Sequence, residues 1–238
     1  MRERGFAMAH DPIWMRVFLM VHIAAGAGTF VLAPVALATV KGGRQHKRWG
    51  MVYLWCMGIV AATAIPMAVF RPVLFLALVA VFSFYAAFAG YRVLKLRGLA
   101  NGGTPQAIDW AAAGITFASS VALALLGWLR PDIMRMPVVV PVIFGLIGMR
   151  LAYGQVKQFV KKPTDKLFWI DTHIGYFLAS YIASWSAFSV VTLAPLLGNQ
   201  WWIWLWPTMV GVPGSILTVS YFQRKYRGRV KPAVVAAV

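Results

Sequence analysis

Gly42-Gly43-Arg44-Gln45-His46-Lys47-Arg48-Trp49-Gly50-Met51-Val52-Tyr53 is a basic hinge between two long apolar runs. Its glycines break the first run, its cations do not belong in hydrocarbon, and Trp49 opens the second run. The fold turns on whether this alternation of apolar run and polar hinge continues along the chain. It continues to the C-terminal tail.

The composition says what solvent such a chain needs. Of 238 residues, 61% are hydrophobic and 12% charged, and the mean hydropathy is +0.71. A soluble domain is nearer 45–50% apolar and about 25% charged. This chain cannot hide its apolar surface from water by folding alone, so the bilayer is its solvent. The runs are continuous, about 20 residues each, and do not alternate, which selects helices over a spanning β-barrel. The fold class is all-α, a polytopic membrane helix bundle of about seven transmembrane helices.

The expected spans are residues 15–38, 49–70, 73–94, 107–129, 137–156, 167–196 and 201–221. They divide the chain into an interfacial segment (1–14), a seven-helix domain (15–222) and a basic tail (223–238). Ala36-Leu37-Ala38 resembles a signal-peptidase site, but the run before it is too long for a signal peptide and is kept as a helix. Of the 23 Lys/Arg, 17 fall in the tail, beside Arg150, or in the hinges after spans one, three and five, and six fall on the other side. The positive-inside rule then puts the N-terminus outside and the C-terminus in the cytoplasm. The net charge of +17 is explained by these loops and by anionic lipids at the cytoplasmic face, so nucleic acid is not an expected partner. A single cysteine, Cys56, excludes an internal disulfide and a thiolate metal cluster.

Chemistry is expected around three histidines. His22 begins a helical stripe of small residues (Ala25, Gly26, Thr29, Ala33) and lies about 10 Å deep in span one. His173 lies inside span six, with Phe177, Ser180, Tyr181 and Ser184 on its side. His46 shares a face with Gly50, Tyr53 and Met57. Tyr53, Asp109, Ser180 and Ser184 are expected to surround the site, and Arg150 and Asp171 to form an ion pair, because a charge at that depth needs a partner. A b-type haem needs an axial imidazole, often two. His22 and His173 are the expected iron ligands, although they differ by roughly 10 Å in depth within a core about 30 Å thick. His46 is the alternate ligand or a proton donor. Zinc ranks lower, since Asp171 and His173 are two residues apart on a helix and point away from each other.

These residues resemble a bacterial family of multi-pass membrane proteins known as a domain of unknown function. The resemblance lies in His22-Ile-Ala-Ala-Gly26, in Gly43 to Tyr53, and in His173-Ile-Gly-Tyr-Phe-Leu-Ala-Ser180-Tyr-Ile-Ala183 with Ala187-Phe188. It covers spans one, two and six, and departs at Phe177, where the family tends to have methionine. Families of this kind have been likened to membrane cytochrome b proteins, so the resemblance implies haem and no particular reaction.

Three readings follow. The first is a b-haem electron-transfer protein, working with quinone. The second is a non-enzymatic accessory or structural subunit of a larger redox or photosynthetic membrane complex. The third is a metal-dependent intramembrane enzyme or carrier.

Overall fold

The computed structural model describes residues 11–70, 74–134, 136–198 and 200–227. The described residues form helices α1 (Ile13–Ala38), α2 (Arg44–Phe70), α3 (Leu74–Arg92), α4 (Ala107–Leu129), α5 (Pro131–Met134), α6 (Val139–Val160), α7 (Phe168–Leu197) and α8 (Trp201–Arg227), with a 3-10 turn at Arg97–Asn101. All but α5 are long and apolar enough to cross a membrane; the most apolar 18 residues of each average 1.2 to 2.0 in hydropathy. The protein is a seven-span, all-α integral membrane protein whose apolar helices face lipid.

The boundaries sharpen the expected ones. Span four is as expected, whereas α2 begins at Arg44, so the basic hinge is itself the first turn of a helix. Gly42 turns the chain at φ +77, a left-handed conformation that suits glycine. Cations at the start of a helix oppose its macrodipole, so Arg44, Lys47 and Arg48 are not there to stabilise α2. α8 continues to Arg227 and takes in residues 223–227, which the sequence assigns to the tail. Residues 1–10 and 228–238 lie outside the described residues.

The chain divides into two compact units, to which α3, α4 and α6 each contribute separate segments. The first comprises Met1–Phe84 and Ser119–Gly148. In it α1 packs on α2, and a β-carbon on Gly28 would come within 3.2 Å of the Cys56 sulfur. α4 and α6 meet along Ser120, Ala124 and Gly127 facing Pro141, Gly145 and Gly148. Lipid offers no hydrophobic drive between helices, so such small residues serve by letting backbones approach. Phe144 packs against Phe75 and Phe82 beside this seam.

The second unit comprises Tyr85–Ala118 and Met149–Val238. Its core joins Tyr85 and Ala89 of α3, and Val93 just past its end, to Ala113, Ala152, Phe159, Phe168 and Tyr176. Within it α7 packs on α8.

Candidate functional site

His22, on α1, directs Nδ1 at the Thr63 hydroxyl of α2, 2.9 Å away. Thr63 donates its own hydrogen to the carbonyl of Ile59 (2.7 Å), with Val60 at 3.1 Å. With the Thr63 hydrogen directed at these carbonyls, the imidazole donates from Nδ1 to Thr63 Oγ1. The small stripe behind His22 faces inward: Ala25 and Thr29 are buried.

His46, in the first turn of α2, reaches back to the carbonyl oxygen of Ala36 at 3.0 Å. The same oxygen accepts from the Thr39 amide at 3.3 Å and the Thr39 hydroxyl at 2.7 Å. The last carbonyls of a helix have no partner within it, and His46 supplies one for α1. Tyr53 and Met57, on its face, are buried. Ala36 lies fourteen residues beyond His22 on α1, about 21 Å at ~1.5 Å per residue. One iron cannot take both His22 and His46.

His173 belongs to the second unit, where Nδ1 lies 2.8 Å from the carbonyl oxygen of Gly90. The α3 helix tightens there: the Leu94 amide bonds Tyr91 O at 3.1 Å rather than Gly90 O. The oxygen passed over by the backbone is the one His173 takes. Phe177, one turn on, packs its ring on the imidazole with centroids 4.9 Å apart and also covers Gly90, where an added β-carbon would come within 2.7 Å of Phe177 Cδ2. Since a carbonyl only accepts, His46 and His173 both donate from Nδ1.

Asp171 accepts from Gln223 Nε2 of α8 at 2.8 Å, while Arg150 lies beside Gly154 and Tyr176. The buried pair is Arg92 with Asp109: Nε to Oδ1 is 2.7 Å and Nη2 to Oδ2 is 2.8 Å. Asp109 also accepts from the Gln106 amide at 2.9 Å, capping α4, and Arg92 reaches Gln106 Oε1 at 2.8 Å. Arg92 was missed because it sits at a span end, where a cation is ordinarily solvated. The short connection to Asp109 was the available signal, since it makes α3 and α4 antiparallel neighbours. Ser180 is fully buried, and its carbonyl accepts from the Ser184 hydroxyl at 3.3 Å.

Among the described residues, no three His, Cys, Asp or Glu side chains gather to hold a metal ion. The second unit does contain a cavity of ≈ 350 Å³ between α6 and α7. Its wall carries Arg150, Lys157 and Lys161, and Phe168 and Tyr176 face them. The Tyr176 hydroxyl donates to the carbonyl of Leu151, and Gln158 Nε2 donates to Thr172 Oγ1 at 3.0 Å.

Compared with known proteins, the chain matches no family model, no curated protein and no solved structure.

Proposed function

We propose that this integral membrane protein is an accessory or structural subunit of a larger membrane complex, seated in a bacterial cytoplasmic membrane with its C-terminal end inside. The observation that supports it is the use made of the embedded histidines. Each commits Nδ1 to another stretch of backbone or to another helix: His22 to Thr63, His46 to Ala36, His173 to Gly90. In hydrocarbon an unpaired carbonyl is costly, so imidazoles that serve carbonyls at helix ends are structural ties.

A second reading has one observation in its favour. Donation from Nδ1 to a carbonyl fixes the tautomer in which Nε2 can ligate iron. Under that reading the protein holds a b-type haem through His173 or His22, and passes electrons to or from a quinone. Haem would supply a one-electron centre; the chain would supply the imidazole and its orientation.

A visible absorption spectrum of full-length protein, purified in mild detergent from haem-replete cells, separates the two. The accessory reading expects no Soret band, and a partner present in fixed ratio across independent purifications. A Soret band that disappears in His173→Ala or His22→Ala overturns it in favour of haem.

A further inference from the structure

Lys157 and Lys161 follow Arg150 by seven and eleven residues, close to two and three helical turns, along α6 and one residue past its end, and therefore lie on one side. All three line the ≈ 350 Å³ cavity, as do Gly154 and Gln158 between them. That volume falls within the usual range of small-ligand sites. None of the lining residues is acidic. Three cations around one cavity repel each other, and an anion among them relieves that repulsion.

The cavity is built around Arg150. A β-carbon on Gly154 would lie 3.2 Å from Arg150 Nη1 and 3.1 Å from Tyr176 Oη, so the guanidinium and the hydroxyl meet over the glycine. The hydroxyl hydrogen goes to Leu151 O, which fixes Tyr176 against α6 beside Arg150. Arg150 lies about 10 Å before Lys157 along the helix, toward its apolar middle. The cations therefore lead from the end of α6 inward.

The neighbouring surface says what kind of anion belongs there. Tyr153 and Val160, four residues before and three after Lys157, are 56% and 72% exposed. The cation row borders an exposed apolar strip of a membrane-spanning helix. A ligand with an anionic head and an apolar tail satisfies both surfaces.

We propose that the cavity between α6 and α7 binds the phosphate-bearing head of an anionic phospholipid, with Arg150, Lys157 and Lys161 as its cations. The site is a defined pocket, distinct from the general attraction of basic loops to a charged membrane, and it does not depend on the role of the histidines.

The test uses the full-length protein in phosphatidylcholine nanodiscs, titrated with phosphatidylglycerol and separately with inorganic phosphate or glycerol phosphate. Binding is read by native mass spectrometry and by the rise in melting temperature. Wild type is expected to bind phosphatidylglycerol saturably. Arg150→Gln, Lys157→Gln and Lys161→Gln should each weaken binding about fivefold, and the triple variant on the order of a hundredfold. The triple substitution Arg44→Gln, Lys47→Gln, Arg48→Gln, which removes as much charge elsewhere, should leave binding unchanged. Lys161→Gln lies just beyond α6 on an exposed side chain, so its effect is free of any folding defect. Unchanged binding in the α6 triple variant, or an equal loss in the α2 control, overturns the site. Saturation by inorganic phosphate or glycerol phosphate alone, lost in the same variants, keeps the phosphate site and overturns the lipid as its source.

Discussion

His173 donates to the carbonyl oxygen of Gly90 across 2.8 Å, although 83 residues separate the two in sequence. His173 and Phe177 together grip a single glycine of α3, the imidazole at its carbonyl and the phenyl ring over its Cα. This contact makes a glycine at the end of α3 and a histidine in an apolar helix mutually necessary. It also turns the question of what the histidine does into one of which ring nitrogen matters.

Asparagine places an amide N–H where Nδ1 stands in histidine, and glutamine places one where Nε2 stands. His173→Asn should keep the bond to Gly90 and lose little stability. His173→Gln should leave that carbonyl unsatisfied and cost about 1–3 kcal/mol. Thermal unfolding in one detergent compares them; if Gln melts as wild type and Asn does not, the tie to Gly90 is not what holds His173 in place.

Arg92 and Asp109 make a buried ion pair in this unit, with side chains 11% and 2% exposed. Removing one partner strands a buried charge, so Arg92→Ala or Asp109→Ala should each destabilise by about 3–5 kcal/mol. Arg92→Met combined with Asp109→Leu removes both charges and should recover much of that loss. A double variant no more stable than the worse single one would show that the cap on α4, made by Asp109 to Gln106, carries the effect.

The seven spans were legible because apolar length and hinge charge are properties of the chain alone. Span four was readable to the residue, since Gly and Pro close its preceding loop and Arg130 ends it. The partners of the polar residues were not legible. Asp171 accepts from Gln223 on α8 and Arg150 lines the cavity, and neither contact could be read from depth along a helix. Depth fixes a residue along the membrane normal and says nothing of its azimuth around the helix. The stripe Arg150, Gly154, Lys157, Lys161 was readable by its period, but basic residues near a span end had already been explained by topology. His46 falls in a hinge by sequence because the apolar run opens only at Trp49, whereas the helix begins at Arg44.

Close approach at glycine should grade with what the new methyl meets. A β-carbon on Gly145 would fall 2.7 Å from the Ser120 carbonyl oxygen and 2.8 Å from the Ala124 nitrogen, both backbone atoms that cannot step aside. On Gly211 it would meet the Ile182 side chain at 2.5 Å, which can change rotamer. Overpacking costs typically about 1–3 kcal/mol. Gly145→Ala should lie at the top of that range or above it, and Gly211→Ala at the bottom. The order of the two melting temperatures is the measurement, and a reversed order would mean α4 and α6 separate more easily than Ile182 repacks.

Arg130 and Asp132 give a pH dependence whose sign can be stated. Arg130 bonds both carboxylate oxygens, Nε to Oδ1 at 3.1 Å and Nη2 to Oδ2 at 2.9 Å, on the solvent-exposed connection from α4 into α5. The guanidinium's hydrogen bonds hold the Asp132 carboxyl below its ordinary range. A carboxyl depressed in the folded state binds its proton less readily there than in the unfolded chain. Its contribution is therefore complete above the unfolded value of about 3.9 and is lost as pH falls through the lower folded value. Both groups are open to water and salt, so the contribution is small. Asp132→Asn should melt slightly below wild type at neutral pH, and the gap should close in acid and narrow with added salt. A gap that widens in acid would mean the substitution acts through the backbone of the turn rather than through the ion pair.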